Sequence, residues 1–123
     1  MKDIESRKDL ELLLDEFYKV AIKDPQIGHH FDGLDLEPHM PSIVDFWEKV
    51  LFGKPVYFGN PMAVHKILHE KSPLIKSHFS RWLKIFNTTT AQNFTGTRAR
   101  LAQRRAASIA KSLGTSLNGD SVR

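Results

Sequence analysis

The stretch NPMAVHKILH (60–69) sets His65 and His69 one helical turn apart. At that spacing two imidazoles share a helix face and could hold one metal ion. The protease version of the pair requires Glu directly after the first histidine, and Lys66 stands there instead. No spacing nominates a third ligand, so a closed zinc site is not expected. The chain has no cysteine, which excludes disulfides, thiolate metal sites and cysteine nucleophiles. Gly-x-Ser-x-Gly, Walker-type loops and Gly-x-Gly-x-x-Gly are all absent, leaving serine hydrolysis and nucleotide binding without support.

The elements that must carry these histidines read as helices nearly throughout. Ser6 with Asp9 three residues later forms a capping-box pattern, followed by Leu10, Leu13, Leu14, Phe17, Tyr18 and Ala21 at helical spacing to about Lys23. Asp24-Pro25 ends that helix, and residues 26–35 read as a loop. Glu37-Pro38 suits the start of a second helix, with His39, Ile43, Phe46, Trp47 and Val50 recurring up to Gly53. Asn60 caps a short third helix that stops near Lys71, before Ser72-Pro73. A fourth begins near Lys76, carries Phe79, Trp82, Leu83 and Phe86, and fades in NTTTAQN (87–93). Thr95 or Thr97 is expected to cap the last helix, and residues 114–123 to form a flexible polar tail. No alternating strand pattern and no repeat occurs. The expectation is one all-α domain over residues 1–113.

At 123 residues there is room for one hydrophobic core, and 41% hydrophobic with 26% charged residues excludes fibrous, disordered and membrane classes. The charged N-terminus lacks an apolar signal core, and no apolar run approaches 18 residues. A cytoplasmic location with no membrane association follows as an expectation. Two Asn-x-Thr triplets, at Asn87 and Asn93, matter only in a secreted chain. The net charge of +4 comes mostly from RARLAQRRAASIAK (98–111). On a helix, Ala102, Ala106, Ile109 and Leu113 make an apolar stripe, with Arg100, Arg104 and Lys111 on another face. That is the pattern of a solvated surface helix, and no nucleic-acid motif accompanies it.

Large aromatic and histidine side chains fall on core-facing or loop positions of different helices: Phe17, Tyr18, Phe31, His39, Phe46, Trp47, His65 and Trp82. Either they are ordinary packing residues with local partners, or several polar-tipped rings turned inward mark a site. One single-histidine chemistry suits the second reading. Haem iron takes one neutral imidazole on one side and an apolar, water-limiting pocket on the other.

The segments FYKVAIKDPQIGHHF (17–31), PHMPSIVDFWEKVLFG (38–53), YFGNPMAVH (57–65) and HFSRWLKIF (78–86) together resemble a truncated haemoglobin, the two-over-two globin, and its third group above all. The Gly-Gly hinges of the first group are missing. The resemblance implies a globin-like fold of two helices over two, haem b as cofactor, and His65 as the metal ligand. It makes Tyr18, His39 and Trp82 the distal residues, with Phe17, Phe31, Phe46, Trp47 and Met62 against the cofactor. It also implies O2, NO and CO as ligands. A phenol and an indole N–H aimed at a partly anionic ligand would each stabilise it by about 1.5–3 kcal/mol, slowing oxygen release. Nitric oxide dioxygenation with an external reductase, peroxide chemistry and simple binding stay open, as does monomer against weak dimer. His29, His30, His69 and His78 receive no comparable role; His69 or His78, with Lys66 or Arg81, could pair with a haem propionate or stand in solvent. The competing class is a haem-free helical adaptor, or a nucleic-acid binder using the 98–111 face.

Overall fold

A computed structural model describes residues 1–57 and 59–118. Helix α1 (Arg7–Ala21) buries Leu10, Leu13, Leu14, Phe17 and Ala21, the apolar stripe read from the sequence. Its first turn is closed by the Asp9 carboxylate, which accepts from the backbone N–H groups of Glu5 at 2.8 Å and Ser6 at 3.2 Å, and from Lys2 Nζ at 2.9 Å. The helix stops two residues before the expected Lys23. Lys23 and Asp24 bond back to Val20 and Ala21, tightening the chain into a turn before Pro25, whose ring disfavours helical backbone at the preceding residue.

Two single 3-10 turns follow, Gly28–Phe31 and Glu37–His39, the second feeding directly into α2 (Met40–Phe52). The Glu37-Pro38 signal therefore opens a 3-10 turn, with the α-helix proper beginning at Met40. Helix α2 buries Val44, Trp47 and Leu51 and ends at Gly53. Its Glu48 is buried too, paired with Arg7 and, at 3.3 Å, with Lys54; Arg7 also holds Asp45 at 2.7 Å, which ties α1 to α2.

Helix α3 (Pro61–Lys71) has the bounds expected, and the Asn60 side chain accepts from the Ala63 N–H at 3.1 Å. Helix α4 (Lys76–Asn93) runs through the 87–93 stretch in which it was expected to fade and ends at its last residue. The Thr89 and Thr90 hydroxyls fold back onto the carbonyls of Ile85 and Phe86, each at 2.8 Å. Satisfied in that way, two threonines can be buried mid-helix, where the sequence pattern suggested a break.

Helix α5 (Thr97–Leu117) is capped by neither threonine. Its cap arrives from the other end of the chain: Asp3 accepts from the N–H groups of Arg98 at 3.0 Å and Ala99 at 2.9 Å. Gly96 makes room for it. Its φ is +135°, and a Cβ there would lie 2.5 Å from the Asp3 carboxyl carbon. Leu113 and Gly114 are buried and the helix runs to Leu117, so residues 114–117 are not tail; residues 119–123 lie outside the described ones.

Helices α1 and α2 pack as one pair and α4 and α5 as another; the pairs meet through α1 on α4 and α2 on α5. The described residues are all helix and connection, without a strand. Helix α5 offers the core a row of small side chains, Ala99, Ala102, Ala106 and Ala110, which lets α4 approach closely. Helix α3 differs from the rest, for its main neighbour is α5 and none of its residues is buried.

Candidate functional site

Because α1, α2 and α4 each turn aromatic residues inward, their rings connect. Phe31 meets Tyr18 edge-on at 5.8 Å, Tyr18 meets Phe17 at 4.8 Å, and Phe17 meets Trp82 at 5.9 Å. Trp82 and Trp47 stack on Phe86 at 5.4 and 5.0 Å, both with ring planes 17° apart. Trp47 touches Phe46 at 5.5 Å, and Phe46 touches Tyr57 at 5.3 Å. Five of the expected aromatics thus form one continuous chain with Trp82. Phe17, Trp47 and the linking Phe86 are its buried members, while Tyr18, Phe31, Phe46, Tyr57 and Trp82 are half-buried.

Two members were not singled out as site residues from the sequence. Phe86 stands four residues after Trp82, on the same face of α4, and that spacing was the available signal. Tyr57 sits in the connector before α3, where no periodicity exists to orient it.

The polar tips of this chain are left over. Among the described residues neither the Tyr18 hydroxyl nor the Trp82 indole N–H makes a hydrogen bond. Desolvation pushes the Tyr18 phenol up to about 12, and burial raises that of Tyr57 as well. Two unused donors, one held protonated at any ordinary pH, suit an uncharged or partly anionic ligand.

His65 lies half-buried on α3, and its Nδ1 stands 2.7 Å from the Pro61 carbonyl oxygen, one turn earlier. A carbonyl only accepts, so Nδ1 carries the proton and the Nε2 lone pair is the one presented. The second histidine of the pair behaves differently: His69 Nδ1 accepts from the Leu74 N–H at 2.8 Å and closes the turn into α4. That bond gives His69 a structural task at the turn into α4. Met62, one turn before His65, is half-buried and lines a cavity of about 650 Å3 with Phe46, Val50, Tyr57, Ile109 and Leu113. Tyr18, Trp82 and His65 do not line that cavity. His39 is exposed at the junction of the second 3-10 turn with α2 and joins none of the ring contacts.

The donor set fits a flat apolar iron-bearing cofactor. One tethered imidazole with its outer nitrogen bare, a helix without a single buried residue whose Val64 and Ile67 are more than half exposed, and two half-buried donors with no partner among the described residues are the features such a cofactor would use. Each has a use beside a haem.

The basic 98–111 segment is a packed part of the core. Ala99, Ala102, Ala106 and Ala110 are buried, the Arg98 guanidinium lies 4.8 Å from the Phe52 ring centre, and Gln103 donates to the Asn87 carbonyl at 3.2 Å. Ile109, expected in the apolar stripe, is half-buried at the cavity wall. No helix among the described residues is long and apolar enough to cross a membrane.

Comparison with known proteins agrees with this architecture. The group 3 truncated hemoglobin ctb of Campylobacter jejuni is 28% identical over 87 residues, which is 66% of this chain and 66% of that protein, just under two thirds of its length. The crystal structure of a group III truncated hemoglobin from Campylobacter jejuni superposes with a TM-score of 0.85 at 25% identity, covering 100% of both chains. The two-over-two truncated-globin fold expected from the sequence is thus the fold observed. The model of a family described as bacterial-like globin matches residues 3–116, and the chain belongs to that family.

Proposed function

We propose that this globin holds haem b with His65 as the only protein ligand to iron, and that it binds O2, NO and CO in a pocket edged by Tyr18 and Trp82. The observation that supports this most directly is the Pro61 carbonyl bonded to His65 Nδ1, because it leaves one nitrogen, in one orientation, for a metal. Haem iron supplies reversible binding of a diatomic ligand and, with reductant, its redox chemistry. The chain supplies the rest. Phe31, Phe46 and Met62 give half-buried apolar surface for the ring system, with Phe17 and Trp47 packed behind them. Tyr18 donates a hydrogen bond from a hydroxyl that its raised pKa keeps protonated, and the Trp82 N–H donates a second. Each bond to a partly anionic ligand contributes about 1.5–3 kcal/mol, so retention rather than rapid exchange is the expected behaviour. His39 acts as a gate at the pocket's outer edge, consistent with its exposed position at the start of α2.

Conversion of nitric oxide to nitrate, served by an external reductase, is the reaction such retention favours; peroxide cleavage is the other that these donors would assist. We place the protein in the cytoplasm, as a monomer or weak dimer. The test of the cofactor is an absorbance spectrum. The expected result is a strong Soret band that vanishes in His65→Ala and persists in His69→Ala once circular dichroism has shown that the variants fold. Protein that stays colourless after haem supplementation, or a band untouched in His65→Ala, would overturn the proposal. Nitrate yield on rapid mixing of reduced, oxygen-saturated protein with nitric oxide then tests the reaction.

A further inference from the structure

Three imidazoles other than His65 converge at the start of α4. His29 and His30 come from the 3-10 turn after α1, and His78 from the first turn of α4, 48 residues further on. His30 Nε2 lies 2.9 Å from His78 Nδ1. The His29 ring centre is 4.0 Å from that of His30 and 5.2 Å from that of His78. One nitrogen from each ring can be chosen so that all three lie within 4.8 Å of one another. From these contacts we infer that His29, His30 and His78 form a binding site for an imidazole-preferring divalent ion of the zinc class, built from histidines other than the proposed haem ligand.

The geometry is close to what such an ion requires. Tetrahedral zinc with ligands at about 2.0–2.1 Å places neighbouring donor nitrogens about 3.3 Å apart. The His30–His78 pair stands slightly inside that spacing and His29 somewhat outside it. His29 is exposed, so a side-chain rotation brings it in. Water or an incoming carboxylate would take the fourth position.

A hydrogen bond alone accounts for two of these rings but gives no reason for the third to sit against both. His78 also hydrogen-bonds the Pro73 carbonyl, the kind of outer contact that orients a ligating histidine. Burial and the neighbouring histidines hold His30 down to about 4, and burial lowers His78, which keeps both in the neutral form that ligates.

The backbone is already set for this arrangement. Arg81, one turn after His78, holds the buried Asp24 through Nε at 2.9 Å and through a second guanidinium nitrogen at 2.7 Å. Asp24 in turn accepts from the N–H groups of Gln26 and Ile27 at 2.9 and 3.1 Å. Arg81, the cation one turn after His78, is therefore neutralised, and the turn carrying His29 and His30 is fastened to α4. Gly28 permits the approach, since a Cβ there would come 2.8 Å from the Ile22 carbonyl oxygen.

The test is isothermal titration of zinc chloride into tag-free protein as purified. The expected result is one equivalent bound, with a dissociation constant in the micromolar range or below. His29→Ala and His78→Ala should each weaken binding by at least about tenfold, the loss seen when even the outer partner of a metal-bound histidine is removed. His69→Ala should leave it unchanged. His29 is exposed, so its variant folds even if replacing half-buried His30 or His78 disturbs the turn. No zinc uptake, or one-equivalent uptake that survives His29→Ala in folded protein, would overturn the site. Zinc is read as heat and haem as absorbance, so either result stands without the other.

Discussion

The Asp3 cap on α5 invites a quantitative test, because a carboxylate from one end of the chain does what the residue preceding a helix normally does. Asp3 accepts from the N–H groups of Arg98 and Ala99, the second and third residues of the helix, and also from that of Ile4 at 2.8 Å. Replacing a capping side chain by alanine costs about 0.5–2 kcal/mol, and Asp3 satisfies two helix donors where one is usual. A negative charge at a helix N-terminus adds about 0.3–1 kcal/mol at low salt. The two contributions overlap, and Asp3→Ala is expected to lose about 2 kcal/mol in all. For a chain of this length that corresponds to a Tm lower by roughly 6–10 °C.

Asp3→Asn, which keeps an acceptor but no charge, should fall between, and its difference from Asp3→Ala should persist in high salt. Gly96→Ala should reproduce the loss, because its Cβ would collide with the Asp3 carboxyl group. Burial works to raise the Asp3 pKa, but the N–H groups of Arg98, Ala99 and Ile4 outweigh it and hold the carboxyl below its ordinary value. The stabilisation is therefore complete above the unfolded pKa of about 3.9 and disappears as pH falls through the lower folded value. Thermal melts of wild type and Asp3→Ala should converge there. A Tm change under about 2 °C at neutral pH, or a gap unaltered in strong acid, would refute the capping argument.

The aromatic chain yields two further expectations. Phe86→Ala removes a fully buried ring stacked between Trp47 and Trp82, at a cost of about 3–5 kcal/mol in urea unfolding. The near-ultraviolet circular dichroism of both tryptophans should collapse with it, and an unchanged spectrum would mean that the indoles are held by other contacts. In a spectrophotometric titration of folded protein, the Tyr18 phenol should ionise near 12, and that step should vanish in Tyr18→Phe. A normal phenol titration in wild type would show that the Tyr18 hydroxyl reaches water.

Some of this was legible from local pattern alone. The Asn60 cap and the bounds of α3 are set by residues within one turn of each other, as is the stripe Leu10, Leu13, Leu14 and Phe17. The asymmetry of His65 and His69 was also foreseeable, since the motif segment 57–65 ends on His65 and none includes His69. What His69 does instead, receiving the Leu74 N–H, depends on how the chain turns after Ser72 and left no sequence signal. The threonines of α4 misled for a related reason. Their propensity counts against helix when exposed, while burial with hydroxyls folded onto carbonyls reverses the balance.

By itself, then, the sequence determined which segments are helical, which face of each is apolar, and that large rings from several helices turn inward, because a repeat of 3.6 residues is written within each segment. Only the tertiary structure decided which rings meet, that Asp3 caps a helix more than ninety residues away, that His39 stays outside the ring contacts, and that His29 and His30 lie against His78. Such meetings depend on the angles at which packed helices cross and on the path of the turns between them. Those are settled by side-chain volume across the whole core, at sequence separations that no local pattern records.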